Sequence, residues 1–107
     1  MPIVRYVLAK LKPGVTPQAY ERFEREVDYE LVKKMTTIVS YRTHRITEVD
    51  ARLQGGPWDY VERIEVTDRA AYERELGVVG KDLLQELYAT YLDRSFTTSI
   101  WTELVEP

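Results

Sequence analysis

The sequence predicts an α+β fold in which a four-stranded antiparallel sheet carries helices on one face, in the order strand, helix, strand, strand, helix, strand. Three observations predict it. Segments dense in Val, Ile, Thr and Tyr alternate with two long stretches whose apolar residues recur every three or four positions. Apolar residues make up 44% and charged residues 31% of the chain, a globular composition with enough hydrophobicity to fold. The 107 residues suffice for one two-layer core and are too few for two, so residues 1–107 are expected to form a single domain.

Ile3 to Leu11 is apolar except for Arg5 and Lys10, the pattern of a central strand, and Pro13-Gly14 ends it. Thr16 followed by Pro17 is a helix cap with proline at the first helical position. From there to Met35, Tyr20, Phe23, Val27, Leu31 and Met35 form one apolar stripe, with Glu21, Glu24, Arg25, Glu30 and Lys34 on the other side. Thr36 to Thr47 is rich in β-branched and aromatic residues and predicts the second strand. Parity puts Val39, Tyr41, Thr43 and Arg45 on one face and Ile38, Ser40, Arg42, His44 and Ile46 on the other. Glu48 to Gln54 reads as a loop or hairpin arm leading to the turn Gly55-Gly56-Pro57.

Trp58 to Val66 predicts the third strand, with Trp58, Tyr60, Ile64 and Val66 alternating with Asp59, Arg63 and Glu65. Glu62 breaks the alternation. It shares the aromatic and aliphatic face, where a carboxylate is costly unless partnered, so it is either a site residue or a solvated group on an edge strand. Asp68 caps a helix through Leu76, a break is expected between Gly77 and Gly80, and Leu83, Leu84, Leu87, Tyr88, Tyr91 and Leu92 form a second stripe. Ser95 to Val105 closes the chain as the fourth strand. This order is the split βαβ pattern of the ferredoxin-like fold, with an expected strand order 4-1-3-2. Val7, Phe23, Val27, Leu31, Leu84, Leu87 and Ile100 are the expected core. The sheet face away from the helices would be left bare and apolar, which predicts a homodimer.

The formal charge is −3 with Lys and Arg scattered, so no basic stripe suggests nucleic acid as a partner. Cysteine is absent and His44 is the one histidine, which rules out disulfides and thiolate sites and leaves too few imidazoles for a zinc centre; no metal is expected. The N-terminus has no continuous apolar run, so neither signal peptide nor membrane span is expected, and the cytoplasm is the expected compartment.

Val4-Arg5-Tyr6-Val7-Leu8-Ala9-Lys10-Leu11-Lys12-Pro13-Gly14-Val15-Thr16 resembles the opening of the dimeric α/β barrel superfamily, and the whole chain is most similar to the REDY-like, HapK-type proteins of natural-product pathways. The resemblance implies two subunits packed sheet against sheet around a cavity that binds a small aromatic or polyketide-like molecule, with no cofactor. It also implies that Tyr60, Glu62, Ile64 and Val66 face that cavity. Polyketide cyclases of the superfamily carry a histidine where this chain is matched by Tyr6, and another near Gly80-Lys81, so their machinery does not transfer. The haem-degrading branch needs a helix histidine that this chain lacks.

His44 is the side chain with an ordinary pKa near neutrality and is the natural proton shuttle, or else a solvent-facing residue of an edge strand. Glu62 would orient it or act as base, and Tyr6 and Tyr60 would donate to a developing oxyanion. Arg42 would grip a substrate carboxylate, Leu8 and Ile64 would line the pocket, Trp58 and Trp101 would form flat walls, and Lys81 would close over it. Three activities fit: acid/base cyclisation, condensation or rearrangement of a reactive intermediate; cofactor-free oxygenation; or ligand binding without catalysis.

Overall fold

The computed structural model describes residues 2–50 and 58–107. The Gly55-Gly56-Pro57 turn and the end of the Glu48 to Gln54 loop lie outside the described residues. Strand β1 is Ile3–Ala9. Helix α1 begins at Pro17–Phe23, passes through a π-helical turn at Glu24–Asp28 and finishes as Tyr29–Val32. Strands β2 (Ile38–Arg45) and β3 (Tyr60–Val66) follow, then helix α2 (Arg69–Val79), helix α3 (Lys81–Glu86, continued by a second π-helical turn at Leu87–Tyr91) and strand β4 (Thr98–Glu103). The sheet is antiparallel throughout, in the order β2-β3-β1-β4 that the ferredoxin-like pattern predicts.

The caps follow from the side chains. Thr16 Oγ1 accepts the Ala19 N–H at 3.1 Å and Asp68 Oδ2 accepts the Ala71 N–H at 2.8 Å, each satisfying a donor that the first helical turn leaves free. The break between α2 and α3 falls at Gly80 alone, and Gly77 lies inside α2. Glycine is needed at 80 by close approach, since a Cβ there would stand 2.6 Å from Leu76 Cδ1 and 2.8 Å from the Leu76 carbonyl oxygen. Gly14 serves the other purpose of glycine, taking φ +85° in the turn after β1. No helix among the described residues is long and apolar enough to cross a membrane.

Register fixes which residues share a face. Val7 lies opposite Glu62 on one side and Ser99 on the other, and Glu62 lies opposite Thr43. Arg5, Val7 and Ala9 therefore share the helix-covered face with Tyr60, Glu62, Ile64 and Val66, and with Tyr41, Thr43 and Arg45. Tyr6, Leu8, Val61, Arg63, Arg42, His44 and Ile100 occupy the other face. Ile38 departs from simple parity: an irregularity between Ile38 and Ser40 inserts Val39, which is exposed, and turns Ile38 toward the helix side.

Under the helices the core divides into two apolar clusters. One gathers Ala9, Tyr20, Phe23, Tyr60, Leu87 and Leu92; the other gathers Val7, Met35, Tyr41, Ile64, Val66 and Tyr72. Glu62 lies on β3 between Tyr60 and Ile64, at the seam. Two expected core residues are not core in the subunit. Val27 is 37% exposed because the π turn slows the angular advance of α1 and brings Glu24 and Asp28, not Val27, toward the sheet. Ile100 is 50% exposed because it pairs with Tyr6 on the uncovered face.

Candidate active site

The seam holds three buried carboxyl groups, Glu24 and Asp28 from the π turn of α1 and Glu62 from β3, with one oxygen of each lying within 4.8 Å of the others. The Tyr20 hydroxyl stands 2.7 Å from Glu24 Oε1 and 2.8 Å from Glu62 Oε1. A phenol has one proton to give, so the second short contact needs a proton on a carboxyl. Tyr41 donates to Asp28 Oδ2 at 2.6 Å, and Thr43 Oγ1 donates to Glu24 Oε1 at 3.2 Å. Glu24 Oε2 is buried without a hydrogen-bond partner among the described residues.

Burial pushes the Glu24 carboxyl far above the ordinary carboxylate range, and the neighbouring Asp28 and Glu62 carboxyls push it further. Burial likewise raises Glu62, and the charge of Asp28 adds to this, against the adjacent Glu24 carboxyl and the hydrogen bond from Tyr20, which favour its ionised form. The pair therefore retains a proton at neutral pH. Burial first, and the charge of Glu62 next, keep the Tyr20 and Tyr41 phenols protonated. The same three carboxyls are the described residues that could hold a cation, and an all-oxygen set suits a hard ion such as Mg²⁺ or Ca²⁺. Counting His and Cys does not test for such a set.

Two hollows meet at this cluster. An apolar cavity of about 60 Å³ is lined by Asp28, Glu62 and Tyr41, by aliphatic side chains including Val7, Leu31, Leu83 and Leu87, and by Arg5 and Tyr72. A polar cleft of about 300 Å³ is lined by Glu24, Glu21, Arg25, Tyr29, Thr43, Arg45 and Tyr60. Glu24 thus belongs to the cleft wall, while Asp28 and Glu62 belong to the cavity wall. At the cleft, Arg45 grips Glu21 through two 2.7 Å bonds and Tyr60 donates to Glu21 Oε2 at 2.6 Å. Arg45, and then Tyr60, hold the Glu21 carboxyl down to about 2, and burial takes the Tyr60 phenol up to about 12.

Of the residues singled out from sequence, Glu62, Tyr60 and Ile64 lie on the helix side, with Glu62 and Ile64 lining the cavity and Tyr60 the cleft. Tyr6, Leu8, Arg42 and His44 lie on the opposite face, so they do not converge with Glu62 within a subunit; pairing Tyr6 with Arg63 puts it one residue out of phase with the Val7–Glu62 pair. His44 and Arg42 are exposed, and Arg42 Nη1 donates to the Tyr41 carbonyl at 2.7 Å. Trp58 donates its indole N–H to the Phe96 carbonyl at 2.7 Å, and Lys81 is exposed at the start of α3. Neither lines the cavity. Sequence reasoning missed Tyr20, Glu24, Asp28, Tyr41 and Arg5. The four-residue steps from Tyr20 to Glu24 to Asp28 carried a signal, because residues at that spacing share a helix face.

The fold and the family agree with known proteins. No curated protein matches the sequence. HapK from Hahella chejuensis superposes with a TM-score of 0.77 at 21% identity, over 98% of this chain and 94% of that one. A DABB-family protein with a ferredoxin-like fold from Mesorhizobium loti gives 0.69 at 14% identity, over 99% and 100% of the two chains. A dimeric ferredoxin-like protein of unknown function from Thermobifida fusca gives 0.71 at 14% identity, over 97% and 92%. Residues 3–105 match the family described as REDY-like protein HapK, and the chain belongs to that family.

Proposed function

We propose that this chain is a cofactor-independent enzyme of natural-product biosynthesis that cyclises, condenses or rearranges a reactive aromatic or polyketide-like intermediate by acid/base catalysis. The observation that carries the reading is a proton-holding carboxyl cluster on the wall of an apolar cavity, an arrangement that costs stability and is typical of sites where a proton must move. Glu62 faces the cavity and is the group placed to take a proton from a carbon acid or to give one to a developing oxyanion. Tyr20 bridges Glu62 to Glu24, and Glu24 borders the polar cleft. A proton can then pass from cleft to Glu24, through the Tyr20 hydroxyl to Glu62, so the site is reset without water entering the cavity.

This places the chemistry between helices and sheet within each subunit. The uncovered sheet face, with Tyr6, Leu8, Val61 and Ile100, is proposed as the contact of a homodimer rather than the wall of the reaction chamber. The test is conversion of a short poly-β-keto thioester, followed by mass spectrometry with and without oxygen. Product above the buffer rate under both atmospheres, lost in Glu62→Gln, is the expected result. Binding with no acceleration identifies a ligand carrier, and a strict need for oxygen identifies an oxygenase; either outcome overturns the proposal.

A further inference from the structure

Arg5 is a cation with no ion-pair partner among the described residues. It lies on the helix side of β1, half-buried, and lines the apolar cavity. Nη1 donates to the Tyr72 hydroxyl at 2.9 Å and Nη2 to Ser99 Oγ at 3.2 Å, both neutral oxygens. Its Nε–H is buried and meets no acceptor among the described residues. No carboxylate of the described residues lies within ion-pair distance of it, whereas Arg45, Arg63 and Lys10, also on the sheet or at its end, each have one. The Tyr72 and Trp101 rings stand 5.9 Å from the guanidinium carbon, which softens the desolvation of the charge without neutralising it. Tyr72 accepts from Arg5 and has no acceptor for its own proton among the described residues, so it offers a second unused donor beside the first.

We infer that Arg5 and Tyr72 form a carboxylate-binding subsite, which anchors the acid end of a chain-like ligand while its apolar segment lies in the cavity next to Glu62. The inference rests on the proposed function for the location of the chemistry, and adds the class of molecule the site takes. A guanidinium fork with a free Nε edge is shaped for the two oxygens of a carboxylate, and the adjacent phenol can donate to the same group. Register sets the spacing: Arg5 pairs with Ile64, two residues along β3 from Glu62, so Arg5 and the acid/base group are diagonal cross-strand neighbours about 7–8 Å apart at the backbone, the span of roughly five to six carbon–carbon bonds of an extended chain. A cavity of about 60 Å³ holds the end of a chain rather than a polycyclic body, which favours an extended, acid-terminated intermediate over a finished aromatic product.

The test uses the intact protein and simple probes: acetate, butyrate and hexanoate, each against its primary amide, followed through the two tryptophan indole N–H resonances. Trp101 packs edge-on against Tyr72 with ring centroids 5.7 Å apart, and Trp58, bonded to the Phe96 carbonyl, is the internal control. Butyrate and hexanoate are expected to shift Trp101 saturably and leave Trp58 unmoved, with the amides at least roughly 10-fold weaker, the scale of a lost charge-assisted hydrogen bond. Arg5→Gln is expected to weaken the acids to the level of the amides. Tyr72→Phe, which keeps the ring, is expected to weaken them several-fold and decides the matter if Arg5→Gln does not fold. Equal affinity for acid and amide, or unchanged binding in Tyr72→Phe and in a folded Arg5→Gln, overturns the subsite. Glu62→Gln should still bind butyrate, so a failure of the acid/base assignment shows as retained turnover in that variant and leaves the binding result standing.

Discussion

At the scale of single residues the decisive group is Glu62, which is buried against Tyr20 and Glu24 and still reaches the cavity. Replacing it by glutamine keeps shape and one hydrogen-bond acceptor and removes the proton-transfer group. Turnover is expected to fall by roughly 10²-fold or more with the fold retained, while His44→Ala, on the opposite exposed face, should leave turnover unchanged. Equal losses in both variants would return the chemistry to the other face. The same carboxyls set a pH dependence of stability. Burial raises the folded-state pKa of Glu62 and Glu24 above the value of 4.5 expected in the unfolded chain, so the folded state binds more protons than the unfolded one above that pH. Their contribution is fully present below about pH 4.5 and is lost as pH rises, at up to about 1.4 kcal/mol per pH unit for each proton retained. Denaturant midpoints measured from pH 5 to 8 should therefore decline, and Glu62→Gln should flatten the slope. A wild-type midpoint that climbs across this range would show that the cluster is ionised.

At the scale of elements, strand parity was legible in the sequence because it is local: alternate residues take opposite faces whatever the rest of the chain does. Trp58 to Val66 therefore revealed Glu62 as an anomaly among Tyr60, Ile64 and Val66. The side of the sheet that this face met was less legible, since it depends on how both crossovers pack, and the resemblance to a family enclosing a cavity between sheets pointed to the uncovered side. The π turn at Glu24–Asp28 was invisible to a 3.6-residue period, and it is what exchanges Val27 for Asp28 at the seam. The break between α2 and α3 was legible as two glycines but not as to which of them it needs. The two positions separate by substitution. Gly80→Ala would drive a Cβ to 2.8 Å from a backbone carbonyl that cannot swing away, and should cost about 1–3 kcal/mol. Gly77→Ala meets nothing within 4 Å in the body of α2 and should raise stability by up to about 1 kcal/mol. Thermal melts of the two variants moving in the same direction would contradict this assignment of the hinge.

At the scale of the whole molecule the two faces of the sheet divide the work. The helix side holds the acid cluster, cavity and cleft within one chain, so the proposed site draws no residue from a second copy. The other side leaves Ile100 half exposed beside Tyr6, and an apolar strip across a sheet is costly to hydrate at about 25 cal/mol per Å². A stable pair would bury on the order of 1,200–2,000 Å² in total, a large part of one face of a sheet this size. Because Ile100 is exposed in the isolated subunit, Ile100→Asp should leave the subunit folded and place an unpaired charge in the contact. Sedimentation at micromolar concentration is expected to give a dimer for the unaltered chain and a folded monomer for Ile100→Asp. Val78→Asp, at a position 78% exposed on α2, should remain dimeric and controls for charge alone. A monomeric unaltered chain would remove the proposed contact altogether, and a dimer that survives Ile100→Asp and dissociates with Val78→Asp would move the contact from the sheet to the helical face.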